Sequence, residues 1–203
     1  MSSPSAGVTT PVQGTAPAID GPDGLSGMPA SLGWEDMSPA WDQEGPKLLL
    51  TGTIYEPDGR TPAANVILYY YHTNREGRYV HIPSEPRSMP PNDLGQTHGA
   101  LRGWVRTGPD GRYAIRTIRP GTYPTRDEPA HVHATIKEPG RIEYYIDDFV
   151  FDDDPLLTPA KRQRMENRCG SGVLHLVERD GLLVGERNIV LGLNVPHAAR
   201  RYR

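Results

Sequence analysis

The chain has 203 residues and a formal net charge of only −3, from 22 basic and 25 acidic residues. Its basic residues are scattered and form no stripe of the kind nucleic acid requires, and no run approaches the roughly 18 apolar residues of a membrane helix. A single cysteine, Cys169, excludes an intrachain disulfide, and the N-terminal stretch has neither the basic nor the apolar segment of a signal peptide, so a cytoplasmic location is expected.

Residues 1–46 are rich in Pro, Gly, Ser and Ala and read as an irregular arm. The adhesive part of that arm runs from Leu32 through Trp34 to Trp41, suited to packing on its own domain or on a partner subunit. From Lys47 the texture changes to short strands separated by turn signals. Leu48–Tyr55 is rich in strand formers and closes on Glu56-Pro57-Asp58-Gly59. Val66–His72 is the second strand, and Arg112–Ile118 the third. His131–Glu138 and Glu143–Phe151 follow, parted by Pro139-Gly140. One helix is predicted, from Pro159 to about Asn167, with Thr158 as N-cap and proline at the first helical position. Val173–Arg179 and Val184–Leu193 finish the domain. At least seven short strands without βαβ alternation predict an all-β fold, a single Ig/transthyretin-like antiparallel β-sandwich over 47–197. Residues 198–203 form a basic tail. The Pro-rich stretch 82–97 is a long loop of the kind that walls a pocket.

His131 and His133 stand at i and i+2 on a predicted strand, so both side chains leave the same face, with Cα atoms roughly 6.6 Å apart. Two imidazoles at that spacing can tip onto one metal ion. Eight residues earlier stands Tyr123, and Tyr79 lies in Gly77-Arg78-Tyr79. Each of these is ambiguous alone, since strand histidines and aromatics beside turns are common; together they form a two-Tyr, two-His donor set. A phenol ionises at a pKa of about 10 in water, and a bound cation removes that difficulty by its own charge. Tyrosinate is a hard oxygen donor, which points to ferric iron. His81, two residues after Tyr79, is either an outer residue of this group or an ordinary loop histidine; His72, His98, His175 and His197 read as structural or exposed. Asp147-Asp148 and Asp152-Asp153-Asp154 lack the alternating ligand spacing of a calcium loop and read as a solvated turn.

Four blocks in order, Gly52-Thr-Ile-Tyr-Glu-Pro-Asp-Gly59, Asn74-Arg-Glu-Gly-Arg-Tyr79-Val-His81, Arg116-Thr-Ile-Arg-Pro-Gly-Thr-Tyr123 and Pro129-Ala-His131-Val-His133, resemble the intradiol ring-cleavage dioxygenases over residues 47–195. The resemblance implies non-haem Fe(III) held by Tyr79, Tyr123, His131 and His133, a catechol and O2 as substrates, and a homo-oligomer. It implies that the catechol chelates the iron and displaces Tyr123, which then serves as a base, and that the ring opens between its two hydroxyl-bearing carbons to a muconate-type diacid. The family's usual Trp-Arg-Pro-Ala-His-Ile-His reads here Asp127-Glu128-Pro-Ala-His-Val-His. Glu128 thus replaces the arginine that stabilises charge on the substrate, and Arg126 is the candidate to supply that cation, with Arg102 behind it. The family's downstream glutamine falls near Asp147 or Asp148. An acidic rim disfavours an anionic substrate, so a neutral or cationic catechol is expected. Two other readings stay open: a cupin-type divalent-metal enzyme using His131, His133 and Glu138, and a non-catalytic β-sandwich binding module.

Overall fold

Leu48, Leu50 and Ile54 recur at even spacing along Lys47–Tyr55, and all three are fully buried while most residues between them are half-exposed. That is the pattern of a strand with one face on a core. In a computed structural model, residues 24–196 are described. Among them are β1 (Glu35–Met37), β2 (Lys47–Tyr55), β3 (Ile67–Tyr71), β4 (Arg102–Arg106), β5 (Arg112–Ile118) and β6 (His131–Lys137). There follow β7 (Tyr144–Tyr145), β8 (Phe149–Phe151), α1 (Pro159–Arg164), β9 (Val173–Leu174), β10 (Val177–Arg179), β11 (Leu182–Glu186) and β12 (Ile189–Val190).

The strands form two sheets, one in the order β1-β5-β2-β11-β10 with β12 also on β2, the other β4-β3-β6-β8-β9 with β7 on β6. Leu48, Leu50, Tyr113 and Ile115 from the first meet Leu68, Val132, Ala134 and Phe149 from the second in one core. The two-layer, all-β expectation therefore holds. The antiparallel expectation holds for the central pairs β2/β5, β3/β4, β3/β6 and β6/β8. It is corrected at β1/β5, β2/β11, β2/β12 and β8/β9, which run parallel. These partners are far apart in sequence or joined by long connections, so no hairpin forces them antiparallel.

Part of the expected arm belongs to the sandwich. β1 pairs with β5 at the sheet edge, and Ser38 caps a 3₁₀ turn over Pro39–Asp42 by accepting from the Ala40 N–H at 3.1 Å. Ala40 is buried with Leu101 and Ile118, so the domain begins before Lys47. The rest of the arm up to residue 23, and the basic tail, lie outside the described residues. β4 was not predicted, because arginines at both ends and an interior glycine hide a strand whose Trp104 and Val105 are buried. The expected strand Glu143–Phe151 breaks into β7 and β8 around Ile146–Asp148. The helix is as predicted at its start, with the Thr158 hydroxyl accepting from the Lys161 N–H, and ends at Arg164.

His72, beyond β3, is fully enclosed between the two sheets; its Nδ1–H donates to the Thr73 carbonyl at 2.7 Å and its Nε2 accepts from the Thr117 hydroxyl at 2.6 Å. Burial pushes its pKa down to about 4. A histidine depressed in the folded state stabilises fully above its unfolded pKa and loses that contribution as pH falls towards the folded one. Between pH 6.5 and 5, His72 alone is expected to cost about 2 kcal/mol of stability. Urea denaturation across that range checks this, and a stability flat down to pH 5 would refute it.

Candidate metal centre

The pleat of β6 sends Val132, Ala134 and Ile136 into the core and leaves His131 and His133 on the outer face of the second sheet. β3 runs alongside with Tyr71 opposite His133. The Tyr71 ring stacks on His133 at 4.4 Å between centroids and on His98 at 3.7 Å. Tyr69 and Trp104 continue this aromatic layer, with Met28, Leu32 and Tyr79 packed against it.

Two loops close over that face, one carrying Tyr79 and the other Tyr123. Their backbones are joined: the Gly121 N–H donates to the Asn74 carbonyl at 2.9 Å, and the Thr73 hydroxyl donates to the Gly121 carbonyl at 2.9 Å. Gly77 adopts φ +72°, and a Cβ there would lie 1.7 Å from the Thr122 carbonyl oxygen. Only glycine permits both the left-handed backbone and the close approach.

All four donor atoms converge. The Tyr79 and Tyr123 hydroxyls lie 2.7 Å apart, the Tyr123 hydroxyl 3.3 Å from His133 Nε2, and the two Nε2 atoms 3.1 Å from each other. Ligands about 2.0–2.1 Å from a common ion and at right angles stand about 2.9 Å apart, so this spacing fits a set closing on one metal. The far sides of the imidazoles agree. His131 Nδ1–H donates to the Pro129 carbonyl at 2.7 Å, and His133 Nδ1–H donates to Asp148 Oδ1 at 3.1 Å. Both Nε2 atoms therefore carry lone pairs that face one another, an arrangement a cation between them resolves. Burial, followed by His133, lowers the His131 pKa and keeps that ring neutral. Burial raises the pKa of both Tyr79 and Tyr123, so neither phenol ionises near neutral pH without a cation.

The structure thus brings together Tyr79, Tyr123, His131 and His133. Arg126 is nearby but on the rim: its side chain is 66% exposed, 3.9 Å from Glu128 and 5.5 Å above the Tyr123 ring. Arg102 is buried against Trp104, donating to backbone carbonyls of Ser26 and Arg87, and so serves the fold. His81 bonds Ser88. Glu138, the cupin-type ligand, lies just beyond the far end of β6, held by Tyr144 and Arg141. It is five residues from His133, roughly 16 Å along a strand, and cannot join the imidazoles.

The acidic run is not simply a solvated turn: Asp153 is exposed, but Asp147, Asp148 and Asp154 have structural partners. Asp154 Oδ2 accepts from the Ala130 N–H at 2.7 Å and fixes the start of β6. Asp147 accepts from the Asn167 and Arg168 N–H groups, and Asp148 backs His133. Burial alone would raise the Asp148 pKa, but His133, with smaller contributions from His131 and Arg187, holds it below the usual carboxylate value. Asp148 stands fifteen residues after His133 and is one of the two positions, with Asp147, near which the family's glutamine is expected, which is the one sequence signal for it. His98 and Tyr71 gave none. A cavity of about 340 Å³ opens beside the donors, walled by Tyr71, Gln96, Thr97, His98, Glu128 and Tyr145. The 82–97 loop supplies Gln96 to that wall, as expected of it. Among the described residues, no helix is long and apolar enough to cross a membrane.

Residues 19–166 match a protein-family model described as Dioxygenase. Over 161 residues the chain is 29% identical to catechol 1,2-dioxygenase of Acinetobacter baylyi, covering 68% of this chain and 49% of that protein. It is 30% identical over 162 residues to the protocatechuate 3,4-dioxygenase beta chain of Burkholderia cepacia, covering 72% and 65%. The chain thus spans about half to two-thirds of the length of these relatives. The solved structure of hydroxyquinol 1,2-dioxygenase from Pseudomonas putida superposes with a TM-score of 0.58 at 23% identity, covering 89% of this chain and 67% of that one, which supports the fold.

Proposed function

The chain belongs to the intradiol ring-cleavage dioxygenase family, and on that footing we propose that it opens the ring of a catechol with O2 at a non-haem ferric centre held by Tyr79, Tyr123, His131 and His133. The observation that carries the reading is the convergence of these four donor atoms at 2.7–3.3 Å. Iron bound there would supply Lewis-acid activation of the catechol and charge to keep both tyrosines ionised.

The chain's own residues supply the rest. The Tyr123 hydroxyl oxygen sits between Tyr79 and His133, placed to take the proton of a catechol hydroxyl. Arg126, above the Tyr123 ring, offers a positive charge on the side where that oxygen leaves. Tyr71 holds His133 by stacking, and Tyr145 lines the cavity beside the donors.

We propose a substrate with a neutral or cationic substituent. Arg126 and Glu128 both line the cavity and stand 3.9 Å apart, so the rim carries no net positive charge for an anionic substituent, and no aliphatic side chain lines the cavity, so hydroxyl and amine substituents find hydrogen-bond partners there. Turnover of catechol and dopamine is expected to exceed that of protocatechuate; a preference for protocatechuate would refute the charge argument.

The decisive test of the centre is the visible spectrum with iron quantified. A tyrosinate-to-Fe(III) band that shifts on anaerobic addition of catechol, and is lost in Tyr79→Phe, is the expected result. A protein that stays colourless after ferric reconstitution would end the dioxygenase reading.

A further inference from the structure

The two imidazoles of the centre are backed unequally. His131 donates its Nδ1–H to a neutral carbonyl, that of Pro129, whereas His133 donates to a carboxylate, that of Asp148. The segment carrying Asp148 is held firmly. Asp147 binds two backbone N–H groups of the 167–168 loop at 2.9 Å each. Arg187, buried and 4.9 Å above the Phe149 ring, directs its guanidinium to the carbonyls of Asp147, Arg168 and Gly170. Gly172 packs so closely that a Cβ there would lie 2.1 Å from the Asp148 carbonyl oxygen. Asp148 is therefore a fixed negative charge on the outward side of one donor imidazole. The three groups His131, His133 and Asp148 cluster within 4.8 Å by their nearest ligand-type atoms. The carboxylate nevertheless contacts Nδ1, the side away from the tyrosines, and so stands behind the donor set.

We propose that Asp148 is a positioning residue that fixes the tautomer and ring plane of His133 and tilts the centre towards a trivalent over a divalent metal. The inference rests on the reading of this site as a metal centre. A hydrogen-bonded carboxylate strengthens an imidazole as a donor, and such partners change metal affinity by about 10- to 100-fold. The direct attraction between a fixed negative charge and the metal scales with metal charge, so its removal weakens a trivalent ion more than a divalent one.

Asp148→Asn preserves an acceptor for His133 Nδ1 and removes the charge; Asp148→Ala removes both. Full-length protein is loaded separately with Ga(III) and Zn(II), and each affinity is measured by chelator competition. The Asp148→Asn protein is expected to bind Ga(III) about 10- to 100-fold more weakly, and its ratio of Ga(III) to Zn(II) affinity falls about two- to fivefold. In the ferric protein, the tyrosinate-to-iron band moves to longer wavelength, because iron with a weaker imidazole donor accepts charge more readily. A merely structural role for Asp148 would move neither the ratio nor the band. Unchanged affinities and an unchanged band in both variants, each shown folded by circular dichroism, overturn the assignment. Wild-type protein that binds neither Fe(III) nor Ga(III) overturns the metal-centre reading and this inference with it.

Discussion

Replacement of His131 with alanine is expected to strip the centre of its metal and lower ring cleavage by roughly 10³-fold or more, the scale of a lost metal catalyst. In the proposed donor set, His131 is the member least able to be replaced by a neighbour. Its Nδ1 is locked on the Pro129 carbonyl and its Nε2 faces that of His133 at 3.1 Å, so it closes the donor ring opposite the tyrosines. Three donors would remain, two of them phenols that burial keeps protonated unless a tightly held cation is present. Loss of one ligand thus weakens the other two as well, and the effect exceeds that of one bond. The side chain points away from the core, and Val132 and Ala134, which hold β6 in place, are untouched. Iron content and oxygen uptake measured on the same preparation check the result. Stoichiometric iron and near-normal turnover in His131→Ala would show that the donor set is wrongly drawn.

Gly77→Ala is expected to destabilise the fold by about 3 kcal/mol or more and to disturb the centre from a distance. Two costs add at this position. The left-handed φ of +72° strains any residue with a Cβ, and the added atom would sit 1.7 Å from the Thr122 carbonyl oxygen, an encounter only backbone movement can relieve. That movement separates the loop of Tyr79 from the loop of Tyr123, whose hydroxyls lie 2.7 Å apart. Gly95→Ala is the control. It has the same left-handed φ, +73°, with nothing within 4 Å of the added atom, so about 1 kcal/mol is expected. Urea midpoints of the two variants should differ accordingly, and only Gly77→Ala should weaken the tyrosinate band. Equal midpoints would mean the loops do not depend on this contact.

That Tyr79, Tyr123, His131 and His133 come together was legible in residue type and order: alternation on a strand for the histidines, and turn-flanked tyrosines upstream. Strands with clean alternation, such as β2 and β6, were legible for the same reason. β4 was hidden because its terminal arginines and Gly103 mask a strand whose Val105 joins the core between the sheets and whose Trp104 packs with the distant segment of Gly24, Met28 and Leu32. The acidic run was misread because side-chain charge signals exposure unless the partners are known. Its partners, the Ala130 N–H, His133 and the 167–168 loop, are distant in sequence and meet it only through pairing of β8 with β6 and β9. Arg126 was located near the site, but its two-thirds exposure and its link to Glu128 are facts of loop packing.

The four donors come from two kinds of chain. The imidazoles ride on β6, inside a ladder of backbone bonds, whereas the phenols ride on connecting loops. Sheets tolerate little change and loops a great deal. The nitrogen half is thus anchored by a whole ladder of backbone bonds, and the oxygen half by the few bonds that tie the two loops together.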